Sequence, residues 1–431
     1  MEFKAVSINA NGTARIVVKN RNWFVTTSKY SFVWQISSDK GVLQSGALNV
    51  PVLNPGDSAT MDIQYNALNR ANEYWMNVQA LEKRSSDYCG VGYIAAYEQF
   101  AVPHDKAGDF VPTISYNVWH DEDEKGCTLS YAGSTVRIDK ASGMVVSYVA
   151  GGRELIQKPL APYFWRPSTD NDRRGWNTEG RLGFWKDAPS RMKTDSIILN
   201  RNVVTVMKSI NDSIWLTLTY HLSEAGVLHV GYDLQIADVV PEPIRVGMQT
   251  EVANNMQSVV WYGRGPAENY SDRCLGSKVG CWSKTVDDFG FGYVWPQENA
   301  NRCDVRWMTL SILSKLTGGY SGPSTGSPNY DKFGYGASSV AGSGMTHLGS
   351  RVKISGDQPL SMSVWNYPAS NIEDASHLNE LDDKYDGVVV NIDCSQAGVG
   401  GTNTWSLDAR PAEQYRLLAK EYMYGFTISG K

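Results

Sequence analysis

Apolar residues alternate with polar or small residues along most of the chain, and this period of two constrains the fold more than any other feature of the sequence. In the segment Tyr30–Asp39, the large side chains of Phe32, Trp34 and Ile36 are spaced by two, and Tyr74–Glu82 has the same spacing. Side chains two residues apart lie on one face of a β-strand. The pattern therefore predicts strands that bury one face in a core.

Turn residues join these strands into hairpins. Val136–Val146 has a glycine between two apolar runs, and Leu216–Leu234 has a Ser-Glu-Ala-Gly turn between two alternating runs. Such turns connect neighbouring antiparallel strands. Only Asn371–Leu381 has a helical pattern. Many short strands separated by turn residues predict an all-β chain built of sandwiches.

The strand pattern lapses into a polar loop at residues 103–108, which predicts a domain boundary. Residues 1–105 have the size of an immunoglobulin-like β-sandwich. The remainder, residues 113–431, is long for one sandwich but has no second obvious break. Within it, 14 of the 27 residues from 318 to 344 are Gly or Ser, a composition typical of a flexible surface loop.

The charge balance excludes several classes of partner. The chain has 40 basic and 45 acidic residues, a net charge of -5, and no apolar run that approaches about 20 residues. We therefore expect no nucleic-acid partner and no membrane association. The N-terminal sequence has neither the basic nor the apolar region of a signal peptide, which slightly favours the cytoplasm and otherwise leaves the compartment unknown.

Neither the cysteines nor the histidines are spaced like metal ligands. The six cysteines form no Cys-x-x-Cys pair, and we expect free, mostly buried thiols. The six histidines are scattered along the chain. The acidic run Asp121–Glu124 lacks the spaced oxygen ligands of a calcium loop and fits a solvated turn. The sequence therefore predicts no metal ion and no cofactor in this chain.

Three polar segments flanked by aromatic residues are the candidates for function: Tyr163–Asp172, Trp261–Arg273 and Tyr293–Trp307. Each combines carboxylates, Arg, Asn and Trp. Charged and planar polar groups bind hydroxyls well, and aromatic rings cover the C–H faces of a sugar. The alternative interpretation is that Arg–carboxylate pairs hold long loops onto the sandwich, because ion pairs also serve structure.

These segments resemble the signature loops of the C-terminal region of family 2 (lacZ-type) β-galactosidases. The family has three corresponding stretches in the same order, which fall here at Arg166–Asp172, Gly263–Arg273 and Pro296–Arg302. Ala300 replaces the usual Gly of the third stretch. The similarity extends over nearly the whole chain.

The resemblance implies an immunoglobulin-like domain over residues 1–105 and, over residues 113–431, a large antiparallel β-supersandwich related to galactose mutarotase. It also implies a non-catalytic C-terminal portion of a retaining β-galactosidase that hydrolyses terminal β-D-galactosides. Retaining glycosidases use two carboxylates about 5–5.5 Å apart, and in this family both lie on a (β/α)₈ barrel. The chain has no alternating β/α pattern for a barrel, so we expect it to be inactive alone.

By the same resemblance, the chain supports the barrel, completes the sugar pocket and aids assembly. Its expected partners are a galactoside sugar, the catalytic barrel domain or large subunit of the same enzyme, and further copies of the parent in a homo-oligomer. Mg²⁺ and Na⁺ would belong to the barrel of the parent enzyme.

Four residues are the expected sugar contacts, and none is expected to be catalytic. The family carries an aromatic residue into the pocket in a Gly-Gly-x-x-x-Trp context, which corresponds to Trp405 and implies stacking on the sugar beyond the galactose. Its Gly- and Thr-rich neighbours favour an exposed loop over a core position, and loops concentrate function. Glu268, Asn269 and Arg273 would shape the mouth of the same pocket.

Two other functions stay open. One is an autonomous carbohydrate-binding module that holds galactosides in the cleft of the supersandwich. The other, less favoured, is an aldose epimerase, which needs a histidine acid and a carboxylate base facing one sugar. Its candidate histidines are His221, His229 and His347, whereas His377 is expected to be structural.

Overall fold

The computed structural model of the chain describes residues 1–106, 108, 110–312, 350–382 and 385–430. The predicted Gly/Ser-rich loop at 318–344 and the candidate His347 lie outside these residues. The described chain divides into two compact units. The first holds the described residues up to Gly108 together with Lys278–Cys281, and the second holds the other described residues.

Seven antiparallel strands make up the sheets of the first unit. Their bounds are β1 (Glu2–Asn9), β2 (Thr13–Lys19), β3 (Tyr30–Ser38), β4 (Gly41–Ala47), β5 (Ser58–Gln64), β6 (Tyr74–Glu82) and β7 (Ile94–Val102). One sheet has the order β1-β2-β5, and the other has the order β4-β3-β6-β7. The strands β3 and β6 confirm the two strands predicted from the spacing of large residues.

The period of two places one face of each sheet in a shared core. Ile16 and Val18 of β2 belong to the same buried cluster as Phe32 and Ile36 of β3 and Val78 of β6. Two antiparallel sheets that pack around one core form a β-sandwich. The predicted sandwich is therefore confirmed for this unit.

Seventeen further strands follow along the described chain. Their bounds are β8 (Trp119–Glu122), β9 (Gly126–Tyr131), β10 (Ser134–Asp139), β11 (Val145–Ala150), β12 (Arg153–Glu154), β13 (Lys158–Tyr163), β14 (Lys193–Asn200), β15 (Val203–Ile210), β16 (Ile214–Leu222), β17 (Leu228–Ile236), β18 (Arg245–Val252), β19 (Ser258–Gly265), β20 (Lys278–Thr285), β21 (Arg302–Ser311), β22 (Arg351–Trp365), β23 (Val388–Gln396) and β24 (Glu421–Gly430).

These strands join into one array that closes on itself. The strands β14 to β17 form an antiparallel meander, and β18 pairs with the distant β23. The last strand, β24, pairs with β17 on one side and β22 on the other. The two predicted hairpins are β10–β11 and β16–β17. The predicted all-β fold class is therefore confirmed.

One large hydrophobic core fills this array. Leu216, Leu218 and Tyr220 of β16 and Phe426 and Ile428 of β24 are among its buried side chains. Each set is spaced by two along its strand, as expected for residues that share a face. The loops that connect the strands are therefore fixed to a rigid scaffold.

Three short α-helices occur among the described residues: α1 (Thr178–Leu182), α2 (Phe184–Arg191) and α3 (Ala369–Asp374). The expectation that Asn371–Leu381 is the only helical segment is wrong, because α1 and α2 precede it. Gly180, Gly183 and Pro189 disfavour helices, so the local sequence does not predict α1 and α2. Over the described part of the chain, no helix is long and apolar enough to cross a membrane.

All six cysteines are free thiols, as predicted. Cys127 and Cys303 are buried, and the other four are partly exposed. The expectation of mostly buried thiols therefore holds for only two of the six. Low cysteine content alone does not determine which face of a strand a cysteine occupies.

Candidate functional site

Four loops of the second unit contain most of the three predicted polar segments and the predicted aromatic residue, whereas the other residues of these segments lie in β13, β19 and β21. The four loops follow β13, β19, β20 and β23. We name them the Asp172 loop (residues 164–177), the Glu268 loop (266–277), the Glu298 loop (286–301) and the Trp405 loop (397–420), and together the loop cluster.

Hydrogen bonds and close packing join these loops. The bonds between loops are Glu298 N–H to Pro167 O (3.2 Å), Asn269 N–H to Asn301 O (2.9 Å) and Gly400 N–H to Asp272 Oδ2 (2.7 Å). At Gly175 of the Asp172 loop, a side chain would collide with Ala409 of the Trp405 loop. The fold therefore brings segments from four distant parts of the sequence together.

A buried ion pair anchors the Asp172 loop to the Trp405 loop. Arg166 donates two parallel hydrogen bonds to the Asp172 carboxylate, each 3.0 Å long. The same guanidinium donates to the carbonyls of Ala397 and Gly398, at 2.7 and 3.0 Å. Burial raises the pKa of Asp172, but the charge and hydrogen bonds of Arg166 outweigh this effect and hold the pKa below its usual value. Arg166 therefore fixes the start of the Trp405 loop.

A second buried cluster lies where the Glu298 loop meets the sheet. The Arg245 guanidinium of β18 is 3.2 Å from a Glu298 oxygen and 3.2 Å from an Asp393 oxygen of β23, and all three side chains are fully buried. Burial raises the pKa of Asp393 to about 7, Arg245 opposes this rise, and the Glu298 charge adds to it. One guanidinium thus faces two carboxylates away from water.

The Glu268 carboxylate is occupied by partners from its own and the Glu298 loop. One oxygen accepts from Arg273 at 2.7 Å and from the Tyr293 hydroxyl, and the other accepts from the Tyr270 hydroxyl at 3.0 Å. The Glu268 side chain is only 6% exposed, whereas that of Arg273 is about half exposed. The Arg273 guanidinium is therefore the part of this ion pair that solvent reaches, and Glu268 orients the guanidinium.

Asn269 lies one residue further along and is completely buried. Its side-chain amide donates to Ala267 O at 2.9 Å, and its oxygen accepts from Cys303 N–H at 2.8 Å. Both ends of the amide are used within the protein. In this arrangement, Asn269 can position the loops but has no surface with which to touch a sugar.

Trp405 stands at the tip of its loop with 78% of its surface exposed. The Asn403 side-chain oxygen accepts from the backbone N–H groups of Trp405 and Ser406, both at 3.1 Å. The backbone N–H of Thr402 donates to Asp408 O at 2.7 Å and closes the base of the tip. These hydrogen bonds fix the backbone of the tip, and the exposed indole ring can stack on a ligand.

A further aromatic ring in the cluster was not singled out from the sequence. The guanidinium carbons of Arg173 and Arg174 lie 5.0 and 4.5 Å from the centre of the Trp295 ring. Cation–π contacts of this kind hold loops together without a carboxylate. The adjacent Val294 is strongly exposed, so this part of the Glu298 loop reaches the surface.

Two of the three histidines considered for an epimerase, His221 and His229, lie in the described part of the chain and have structural partners. His229 Nε2 lies 2.7 Å from Asp357 Oδ2, and the Phe110 ring stacks on the imidazole at 3.5 Å. His221, directly opposite on β16, lies 3.1 Å from Thr113 O. Burial lowers the pKa of His221. Both rings are buried, and the carboxylate beside His229 is already engaged by the imidazole.

Metal chemistry has no clear site in the described residues. Among the described residues, no group of three or more His, Cys, Asp or Glu side chains could hold a metal ion. In the acidic run Asp121–Glu124, Asp123 pairs with Arg137 and Glu122 pairs with Lys140, both at 2.7 Å. The run is therefore balanced by basic side chains of the neighbouring hairpin.

Two known protein families match this chain. The family described as β-galactosidase small chain matches residues 130–428, and the family described as β-galactosidase, domain 4, matches residues 16–103. The chain belongs to the β-galactosidase small-chain family. The resemblance to the C-terminal part of a β-galactosidase is thereby confirmed.

Curated relatives that resemble this chain are named β-galactosidases. A β-galactosidase of Priestia megaterium is 26% identical over 96% of this chain and 37% of its own length. β-Galactosidase 2 of Enterobacter cloacae is 24% identical over 99% of this chain and 39% of its own length. The chain therefore spans less than two-fifths of these relatives. A solved galactose 1-epimerase from Lactobacillus acidophilus aligns over 74% of this chain, with 10% identity and a TM-score of 0.33.

The predicted site residues divide into three kinds. Trp405 and Arg273 are exposed in the loop cluster, Glu268 is nearly buried behind Arg273, and Asn269 is fully enclosed. Arg245 and Asp393 were missed because they lie within strands, outside the polar segments. The only signal for Asp393 is a carboxylate inside an apolar strand, where a charge needs a partner.

Proposed function

We propose that the chain is the non-catalytic C-terminal portion of a family 2 β-galactosidase that hydrolyses terminal β-D-galactosides with retention. The observation that carries this proposal is the ordered pair of family matches, domain 4 followed by the small chain. The curated relatives named β-galactosidase are more than twice as long as this chain. On this proposal, the domain over residues 1–105 and the supersandwich over 113–431 accompany a catalytic barrel supplied by the rest of the enzyme.

The engaged carboxylates of the loop cluster support a non-catalytic role. A retaining glycosidase needs two carboxylates about 5–5.5 Å apart that flank the scissile bond. Asp172 is paired with Arg166, Glu268 is paired with Arg273, and Glu298 is fully buried. None of these three is free to attack a sugar. The described helices, α1 to α3, are also too few for a (β/α)₈ barrel.

The same loops suit the completion of a sugar pocket. On this proposal, Trp405 stacks on the sugar beyond the galactose, and Arg273 donates to its hydroxyl groups. Glu268 and Asn269 act as positioning residues, because their polar atoms hold Arg273 and the neighbouring backbone. The rest of the unit supports the barrel and contributes to a homo-oligomer of the parent, whose Mg²⁺ and Na⁺ belong to the barrel.

Complementation tests this function. We expect that mixing the chain with a barrel-containing fragment of its own parent restores hydrolysis of a β-galactoside, whereas each component alone is inactive. Hydrolysis by this chain alone would contradict the proposal, and so would a mixture that forms a complex but stays inactive.

Trp405→Ala in the restored enzyme tests the pocket. We expect the concentration of a glucose acceptor needed for half-maximal transfer to rise about fivefold, because an aromatic contact contributes on the order of 1 kcal/mol beyond its burial. Trp119→Ala removes another exposed ring and is the matched control. Equal effects of both substitutions would exclude a pocket role for Trp405.

A second candidate function is an autonomous galactoside-binding module, and the exposed Trp405 ring is the observation that favours it. Calorimetry of the chain without any barrel fragment distinguishes the two. Binding of lactose with a Kd below the millimolar range, lost in Trp405→Ala, would support the module. Weaker binding would exclude the module and would leave the non-catalytic portion of a β-galactosidase as the only proposed function.

A further inference from the structure

A groove of about 370 Å³ lies on the outer face of the second unit, on the four strands β19, β21, β22 and β24. Its volume falls within the range of small-ligand sites, roughly 300–1,000 Å³. None of the residues assigned to the loop cluster lines it. The described residues that line it are Val260, Trp307, Thr309, Arg351, Lys353, Ser429 and Gly430.

Strand register explains why these residues meet. Val260 is opposite Thr309, Thr309 is opposite Lys353, and Lys353 is opposite Ser429. This row therefore crosses four strands on one face of the sheet, with neighbours about 4.8 Å apart. Trp307 lies two residues before Thr309 and so belongs to the same face.

The groove combines an aromatic ring with positive charge. The Lys353 ammonium lies 5.2 Å from the centre of the Trp307 ring, and Arg351 is two residues away on the same face of β22. No acidic residue is found among the lining residues that the structure describes. The two cations thus face the groove without a carboxylate in its wall, and an anion there would be attracted by both.

The hydroxyl groups and the aromatic ring of the groove restrict the class of ligand further. Thr309 and Ser429 place hydroxyls on either side of Lys353, where they can exchange hydrogen bonds with other hydroxyls. The Trp307 ring offers an apolar face of the size of a pyranose ring. A simple inorganic anion would interact with the two positive charges, but it would not stack on the ring or bond to both hydroxyls.

We propose that this groove is a binding site for an acidic sugar, a pyranose that carries a carboxylate. The ring C–H face lies on Trp307, the carboxylate is held by Arg351 and Lys353, and the sugar hydroxyls bond to Thr309 and Ser429. This site is separate from the loop cluster and does not depend on the β-galactosidase function.

Calorimetry of the full chain at fixed ionic strength tests the site, with D-galacturonate, D-galactose and sodium sulfate as probes. We expect galacturonate to bind at least fivefold more tightly than galactose, because one ion pair near a protein surface contributes about 1 kcal/mol or more. We expect sulfate to bind more weakly than galacturonate. Equal affinity for galacturonate and galactose would overturn the charge recognition, and sulfate binding as tight as galacturonate would overturn the sugar recognition.

Two substitutions identify the residues. Trp307→Ala should weaken galacturonate binding about tenfold, and Lys353→Gln should weaken it about fivefold. Trp215→Ala and Lys193→Gln alter exposed residues on other strands and should leave the affinity unchanged. Lys353 is exposed, so its substitution keeps the fold even if Trp307→Ala does not. Unchanged affinity in Lys353→Gln would overturn the proposal.

Failure of the acidic-sugar site can be distinguished from failure of the proposed β-galactosidase function. Trp405→Ala should leave galacturonate binding unchanged, and Lys353→Gln should leave complementation of a barrel fragment unchanged. Loss of galacturonate binding in Trp405→Ala would show that the sugar binds in the loop cluster and would overturn the separate site.

Discussion

Buried charge is the main feature of this protein at the scale of single residues. Arg245 faces both Glu298 and Asp393 in a region without water access. Removing one member of a buried ion pair typically costs about 3–5 kcal/mol, because its partner remains charged and buried. With two carboxylates and one guanidinium, the cluster already holds one negative charge in excess, which favours a proton on Asp393.

The proton on Asp393 makes stability depend on pH. The pKa of Asp393 is about 7 in the folded chain and near 3.8 for an ordinary aspartate. Between these values, the folded state holds a proton that the unfolded state lacks. The free energy of unfolding should therefore fall as pH rises from 5 to 7, by up to about 1.4 kcal/mol per pH unit from this group, and level off above pH 7.

Asp393→Asn tests this dependence by denaturant unfolding at several pH values. The amide resembles the protonated acid and does not titrate, so the variant should lose this negative slope and gain stability relative to the parent as pH rises. Asp172→Asn is the control, because the lowered pKa of Asp172 makes its contribution fall on acidification instead. Parallel pH profiles for Asp393→Asn and the parent would refute the assignment.

The sequence identified these polar segments but not the role of each residue. Arg166, Asp172 and Glu298 were candidates either for sugar contacts or for loop clamps, and their burial assigns them to clamps. Composition cannot separate the two roles, because both use Arg–carboxylate pairs. The distinction depends on which atoms remain in contact with solvent, and packing between distant segments determines this.

At the scale of elements, the Trp405 loop is a long connection between β23 and β24 that has a fixed start and a locally stabilised tip. Arg166 holds its start through two carbonyls, and Asn403 holds its tip through two backbone N–H groups. Asn side chains commonly hydrogen-bond to the backbone two residues ahead and stabilise turns. The stability of the loop tip should therefore depend more on Asn403 than on packing against the hydrophobic core of the second unit.

Asn403→Ala should loosen the tip without unfolding the unit. We expect amide hydrogen exchange of residues 402–408 to accelerate about fivefold, because the lost hydrogen bonds contribute about 1 kcal/mol. Hydrogen exchange with mass spectrometry measures the change, and Trp405→Ala is the matched control because it keeps the Asn403 oxygen and its donors. Similar acceleration in both variants would mean that the indole, not Asn403, holds the tip.

Hairpins and strands were more predictable than helices. The hairpins β10–β11 and β16–β17 carry both the period of two and a turn glycine, so local sequence specifies them. The helices α1 and α2 have five and eight residues, and each has only two buried residues, Thr178 and Leu182 in α1 and Trp185 and Ala188 in α2. Helices this short owe their stability to packing rather than to propensity, which a local pattern does not contain.

At the scale of the whole molecule, the last strand completes the sheet of the second unit. The pairing of β24 with β17 joins residues nearly 200 positions apart, and its pairing with β22 closes the other side. The sequence does not predict these neighbours, because alternation defines a face of a strand and does not specify its partner. Long-range pairing is thus the part of the fold that sequence reasoning could not supply.

This topology predicts that truncation before β24 prevents folding of the second unit. Four buried side chains would be lost, Tyr422, Tyr424, Phe426 and Ile428, and each contributes roughly 1.5–3 kcal/mol by burial. Their sum, about 6–12 kcal/mol, is comparable to the total stability of a typical domain. We expect the chain ending at Lys420 to lack a cooperative thermal transition for this unit, whereas a chain ending at Gly430 retains it. Calorimetry compares the two, and an unchanged transition in the shorter chain would mean that β17 and β22 are stable without the strand between them.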